Sequence, residues 1–248
     1  MLHETQYTQI VTKHTTLLED ADTIFILLQA SGYPISQHNE DHYRLETCFT
    51  DYKEQRYCVI DIETNGSKPG TSQVIEIGAV MIQDGEVIDR FETFVECAYL
   101  PEYITKITGI EPMDLIGAPS RKSALTALRH FMGDAVFVAH NANFDHTFLN
   151  ASFDRFGLGR IGNPKLCTID LARRTFESER YGLAYLIDFL EIETATHHRA
   201  YSDAVCAAKV MEKSLEGLPE YVKSTDELIR FSTSSKKERR IKKEEQGK

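Results

Sequence analysis

The sequence predicts an α/β fold, a mixed sheet with helices on its faces, preceded by a small, mainly helical N-terminal extension. Three observations carry this expectation. An amphipathic stripe stands first, three β-rich runs with turn chemistry between them follow from Arg56, and a strand–helix–strand succession comes after those.

The stripe lies between about Lys13 and Ala30, where Leu17, Leu18, Ala21, Ile24, Phe25 and Leu28 recur at three- and four-residue intervals. That spacing predicts a helix ending at Ser31-Gly32. The segment HYRLET (42–47) reads as a short strand or wing packed against it. The runs RYCVIDIET, QVIEIGAVMI and EVIDRFETFVE are strands separated by Asn65-Gly66, Pro69-Gly70 and Asp84-Gly85, the last pair marking a hairpin. SALTALRHFM (123–132) predicts a helix, AVFVAH (135–140) a strand and FDHTFLNASFDRF (144–156) a further helix, an order that calls for a parallel crossover. KLCTIDLARRTF, YGLAYLIDFLEI and SDAVCAAKVMEKSL read as a short strand followed by helices. The closing KKERRIKKEEQGK is too charged to bury a core and is expected to be disordered. These boundaries divide the chain into an extension (1–55), a main domain (56–217) and a flexible basic tail (218–248), in which Leu228, Ile229 and Phe231 are expected to anchor a partner.

Composition narrows the function. A chain of 248 residues, 42% hydrophobic, suffices for one substantial core. The net charge of −10 argues against general coating of nucleic acid but allows an enzyme that holds a few nucleotides through metal ions. Five scattered cysteines without a CxxC pair indicate neither a disulfide framework nor a structural zinc site. The apolar run at 24–28 is too short to cross a bilayer and the polar start is unlike a signal peptide, so a soluble, cytoplasmic protein is expected.

The chemistry is concentrated in acidic residues at element ends. Asp61 and Glu63 are two residues apart on a strand and project from one face, while Cys58, Ile60 and Ile62 occupy the other. Two carboxylates so close call for cations between them, and an oxygen-only donor set suits Mg²⁺ or Mn²⁺. Asp145 follows an apolar strand at the start of a helix, and Asp203 opens another helix behind His197 and His198. Each has a plain structural reading as well, in which Asp61 and Glu63 form a solvated strand face, Asp145 complements a helix dipole and Asp203 is an ordinary N-terminal helix residue. Four carboxylates and a histidine, each at a strand or helix end, instead form a two-metal site with a nearby base.

Taken in order, VIDIETNG (59–66), VIEIGAV (74–80), ITGI (107–110), VAHNANFDHTFL (138–149), CTIDLARR (167–174), YGLAYL (181–186) and HRAYSDA (198–204) resemble the DEDDh group of 3′→5′ exonucleases. Within it they resemble the proofreading epsilon subunit of bacterial DNA polymerase III and the exonuclease domain of PolC polymerases. The resemblance runs from about Tyr57 to Leu215. It implies a ribonuclease H-like five-stranded mixed sheet, with Asp61, Glu63, Asp145 and Asp203 as carboxylates for two metal ions, Mg²⁺ or Mn²⁺. His198, five residues before Asp203, corresponds to the general base, a role suited to an imidazole titrating near 6.5. Thr64, His140, Asn141 and Phe144 would seat the terminal nucleotide, and Phe144 with an apolar rim near Ile107 would stack on or separate the last bases.

The implied reaction removes nucleoside 5′-monophosphates from a single-stranded or frayed DNA 3′ end, as proofreading beside a replicative polymerase subunit. Asn65 stands where the group often has Thr. Thr108 stands where epsilon subunits often have His, which brings ITGI nearer the PolC type. Residues 1–55 have no counterpart in the epsilon domain and are expected to dock a partner or dimerise. Two other readings are an RNA-trimming exoribonuclease with the same motifs, separable on matched DNA and RNA oligonucleotides, and a non-catalytic scaffold, which predicts no metal-dependent hydrolysis.

Overall fold

The computed structural model describes residues 1–14, 20–193 and 199–235. The chain starts with β1 (Leu2–His3), α1 (Glu4–His14), α2 (Ala21–Ala30), β2 (Ile35–Asn39) and β3 (His42–Leu45), whose strands form a small sheet in the order β1-β3-β2. The helix expected from Lys13 to Ala30 therefore starts later. Asp20 takes an extended conformation and accepts a hydrogen bond from the Thr23 amide at 2.8 Å, which caps α2 at its first turn. Leu17 and Leu18 lie outside the described residues. Tyr7, Val11, Ile24 and Tyr43 bury a core of their own, with the Tyr7 and Tyr43 rings stacked 4.2 Å apart. The extension is thus mainly helical, as expected, with a small three-stranded sheet beside its helices; strands of two to five residues leave little alternation to read.

The main sheet comprises β4 (Tyr57–Thr64), β5 (Val74–Gln83), β6 (Glu86–Phe94), β7 (Val136–Ala139) and β8 (Lys165–Cys167), in the order β6-β5-β4-β7-β8. β4, β5 and β6 are antiparallel neighbours, and β7 and β8 run parallel to β4. This is the mixed five-stranded sheet the sequence predicts. The β5–β6 hairpin turns on Asp84 (φ 53°) and Gly85 (φ 78°), left-handed at both positions as the strand twist requires of a two-residue loop.

Helices α3 (Glu102–Thr108), α4 (Arg121–Met132), α5 (Ala142–Arg155), α6 (Thr168–Thr175), α7 (Leu183–Phe189), α8 (Ala200–Glu216) and α9 (Thr225–Thr233) complete the fold. One face of β4, with Cys58, Ile60 and Ile62, packs with Leu125 and Leu128 of α4 and Phe148 and Leu149 of α5. The other face, with Tyr57 and Val59, packs with Ala207, Ala208 and Met211 of α8. Burying each such aliphatic side chain contributes ~1.5–3 kcal/mol, so β4 is clamped from both sides.

The C-terminal segment departs from expectation. Ser224 and Glu227 form a reciprocal capping box that starts α9, and Leu228 and Phe231 are buried in the α8-side core. They anchor the protein's own sheet rather than a partner, because residues three apart on a helix share a face and this face meets an apolar layer. The charged run from Lys236 onward lies outside the described residues. No helix among the described residues is long and apolar enough to cross a membrane.

Candidate active site

β7 accompanies β4 only as far as Val59 and then ends, so the last five residues of β4 keep a strand neighbour on one side alone. The gap opens at the carboxyl end of a parallel pair, where α/β sheets place ligands. The first turn of α5 enters it and brings Asp145, 3% exposed, against the strand, where the Ile62 backbone hydrogen-bonds its carboxylate. Asn141 precedes α5 in a left-handed conformation (φ 73°), which turns the chain sharply from β7 into the helix.

Asp61 and Glu63 point toward α8, as the strand alternation predicts. Asp203 meets them from the first turn of α8, and one carboxylate oxygen from each of the three lies within 4.8 Å of the others. A close approach explains how a helix reaches so near a strand. Gly78 of β5 is paired with Asp61, and a β-carbon on it would stand 2.0 Å from the Tyr201 amide nitrogen. Only hydrogen fits between β5 and the start of α8.

A pocket of about 250 Å³ gathers Asp61, Glu63, Asp145 and Asp203 with His140, Phe144 and the start of α7 around Leu183 and Ile187. A larger groove of about 970 Å³ lies at the other end of the sheet, around Tyr57 and the β5–β6 turn, and holds none of the expected site residues.

Crowding sets the electrostatics. Burial, then Asp145, Glu63, Asp203 and Glu76, hold the Asp61 carboxyl well above the usual carboxylate range. Glu63 is pushed up to about 8 by burial and by Asp203, Glu76 and Asp145, partly offset by Arg199. Burial raises Asp145 to about 7, against the lowering effect of backbone hydrogen bonds. Oxygen donors this close, with Asp61, Glu63 and Asp145 resisting ionisation, fit divalent cations such as Mg²⁺ or Mn²⁺, whose charge removes the repulsion. Asp61, Glu63 and Asp203 would hold one ion between them, with Asp145 at the edge of the same pocket.

The remaining expected residues divide. Phe144 is 37% exposed and lines the pocket, its ring 5.8 Å from Phe148. His140 lines it too, but both ring nitrogens are engaged within the protein, Nε2 donating to the Tyr181 carbonyl at 2.9 Å and Nδ1 meeting the Thr168 hydroxyl at 2.8 Å. Burial depresses it to about 4, so the ring is neutral and braces the 181–183 segment. Thr64 donates its hydroxyl to the Gly66 carbonyl at 2.9 Å, closing the turn after β4. Thr64 and Asn141 stand outside the pocket lining, and Ile107 is exposed on α3 away from it. His198 lies outside the described residues.

The sequence reading assigned no role to Glu76 or Arg199, although both stand in quoted motifs. Glu76 is fully buried beside Glu63 in the sheet register. Its Oε1 accepts from Arg199 Nη2 at 2.7 Å and Nε at 2.9 Å, and its Oε2 accepts from the Ala200 amide at 3.1 Å. A glutamate inside the otherwise apolar run VIEIGAV is the signal that could have marked it, since a buried charge requires a partner.

The family model for exonucleases of the RNase T type matches residues 58–211. The chain is 36% identical over 197 residues to the PolC-type DNA polymerase III of Staphylococcus haemolyticus, covering 78% of this chain and 13% of the polymerase. It is 38% identical over 178 residues to that of Caldanaerobacter subterraneus subsp. tengcongensis, covering 71% and 13%. The chain therefore spans about an eighth of the length of these relatives. Among solved structures, exonuclease I superposes with a TM-score of 0.58 at 18% identity, over 71% of this chain and 43% of that one. Exonuclease X bound to 5′-overhanging duplex DNA superposes at 0.53 and 23%, over 69% and 99%, and these two likenesses carry the fold alone. With the motif order, the mixed sheet and the clustered carboxylates in agreement with a match across more than half its length, the chain belongs to the exonuclease family.

Proposed function

We propose that this exonuclease is a metal-dependent 3′→5′ enzyme that shortens DNA ends and proofreads beside a replicative polymerase. The observation that carries the reading is the meeting of Asp61, Glu63 and Asp203 within 4.8 Å in a small pocket bordered by Asp145. When bound, Mg²⁺ or Mn²⁺ supplies Lewis acidity toward the phosphate oxygens and eases deprotonation of water. Asp61, Glu63, Asp145 and Asp203 hold the cations. His198 takes the proton of the attacking water, and Phe144 offers its exposed ring to the terminal base, a contact tolerant of sequence. A pocket of about 250 Å³ suits one terminal nucleotide rather than a continuous duplex, which supports action from an end. Likeness to PolC-type polymerases supports DNA as substrate, a polymerase as partner and the cytoplasm as place of work.

The test follows a 5′-labelled primer with a mismatched 3′ end, in Mg²⁺ or EDTA, beside a matched RNA oligonucleotide. A metal-dependent ladder shortening from the 3′ end, lost in Asp61→Ala and His198→Ala, is the expected result. Shortening from the 5′ end would overturn the polarity, faster release from RNA would overturn the substrate, and no release from either would return the scaffold reading.

A further inference from the structure

Past Glu63 the strand that carries the carboxylates ends in a turn, and the Asn65 side chain ties that turn to the chain leading into α3. Its Oδ1 accepts from the Gln73 amide at 2.8 Å, while its Nδ2 donates to the Tyr99 carbonyl at 3.1 Å and to Cys97 Sγ at 3.5 Å. The Asn65 amide donates to the Gln73 carbonyl at 3.0 Å and closes the same turn. The span needs a side chain with a carbonyl oxygen and an NH₂ group together, which a hydroxyl does not offer. A β-carbon on Gly66 would stand 2.6 Å from the Ser72 hydroxyl and 3.7 Å from that of Tyr103, so Tyr103 reaches the turn from α3. Tyr99 and Tyr103 are nonetheless 71% and 56% exposed. Ile104 and Thr108 take the buried side of α3, which leaves Tyr103 on its outer side. Glu63 lines the pocket, and Asn65 follows it by two residues, about 7 Å of chain at most, so this wall stands beside the pocket mouth. Lys68 lies in the same turn, Arg155 donates to its Gly70 carbonyl at 2.9 Å, and Glu102 of α3 is paired with Lys106 at 2.7 Å.

We propose that Tyr103, with Tyr99 beside it, is a stacking wall for the single-stranded DNA that trails from the terminal nucleotide, and that Asn65 is the positioning residue that fixes the wall to the active-site strand. The inference rests on the reading of the pocket as the seat of a DNA 3′ end. A pocket of about 250 Å³ holds one nucleotide, so the next bases lie outside it. An aromatic face accepts any base, and the cations at the turn suit the phosphates between them.

The experiment gives the full chain two substrates in Mn²⁺: a 5′-labelled single-stranded oligothymidylate, which has bases to lay on the wall, and the p-nitrophenyl ester of thymidine 5′-monophosphate, which has none beyond the pocket. Tyr103→Ala is expected to raise KM for the oligonucleotide roughly tenfold, the scale of one lost base stack, with kcat held, so that kcat/KM falls on the oligonucleotide relative to the ester. Tyr103→Phe keeps the ring and should keep the parent KM. Asn65→Ala should reproduce the rise in KM, and adding it to Tyr103→Ala should cost little more. An unchanged KM in Tyr103→Ala, an equal loss on the ester, or as large a loss in Tyr103→Phe would overturn the wall, and full additivity of the two alanine substitutions would overturn the role of Asn65. Hydrolysis of the ester alone by the parent would remove the DNA reading, and hydrolysis of neither substrate the exonuclease reading itself, each taking this inference with it. Tyr103 is exposed, so its variants carry the test even where Asn65→Ala does not fold.

Discussion

At the scale of single residues, Asp61 is half-buried and crowded by four other carboxylates, which with burial hold its carboxyl well above the usual range. Replacing it with Asn removes a like charge as well as a proposed metal ligand, so activity and metal-free stability should move in opposite directions. Asp61→Asn is expected to lower hydrolysis on the order of 10²- to 10³-fold, the effect of losing several kcal/mol of transition-state stabilisation. The same variant should melt higher than the parent in EDTA at pH 8, and a lower melting point would refute the repulsion account. The sign for pH follows from Glu63, raised to about 8, and Asp145, raised to about 7. The folded protein keeps protons that the unfolded chain has released, so their contribution is full below the ordinary carboxylate value and is lost as pH rises through about 7 to 8. In EDTA the melting temperature should therefore be lower at pH 8.5 than at 5.5. Mn²⁺ should restore more at 8.5, since it binds the native cluster of ionised groups. A flat profile without metal would contradict the raised values.

At the scale of elements, the approach of α8 to β5 at Gly78 is the joint on which the site depends. A methyl group there meets backbone at 2.0 to 2.3 Å and cannot be absorbed by a side-chain rotation. Gly78→Ala should cost about 1–3 kcal/mol by chemical denaturation and should also lower the rate, because α8 carries Asp203. Stability lost with the rate intact would mean that Asp203 reaches the cluster without that seat. α9 makes a second case. Leu228 is fully buried, so Leu228→Ala should cost about 2–5 kcal/mol in the same assay, whereas a tether would tolerate it. The strands and helices around the site were legible because their alternation and periodicity are local properties of VIDIET or SDAVCAAKV. α9 was misread because its short amphipathic stripe beside a charged run is equally compatible with a linker, although Ser224 and Glu227 spelled a capping box. The carboxylates were found through their spacing and motif order. Glu76–Arg199 was not, since 123 positions separate the partners and only the fold brings them together.

At the scale of the whole molecule, one cation gathers several of the contacts that join the N-terminal unit to the exonuclease. Arg129 of α4 donates to the carbonyls of Ser31, Leu158, Gly159 and Arg160 at 2.7 to 3.4 Å, over the Phe153 ring at 4.5 Å. Gly32 then packs so tightly on Asn163 that a β-carbon would overlap its amide. Arg129→Ala should increase amide hydrogen exchange in α2 and across 158–163 together while sparing β4 and β5; unchanged exchange in α2 would show that the joint holds without it. Pairing between these distant segments was not legible in the sequence, whose polar Ser31-Gly32 indicated only the end of a helix. The stitches at the opposite margin have a different consequence. The Tyr52 amide donates to the Lys223 carbonyl and the Thr225 amide to the Thr50 carbonyl, both at 3.0 Å, so the chain that leads into β4 is fastened to the chain that leads into α9. A unit closed on itself in this way is a natural insert, because a longer polypeptide can leave and resume its course at a single point on its surface, and its ends can be joined and reopened elsewhere as a circular permutant.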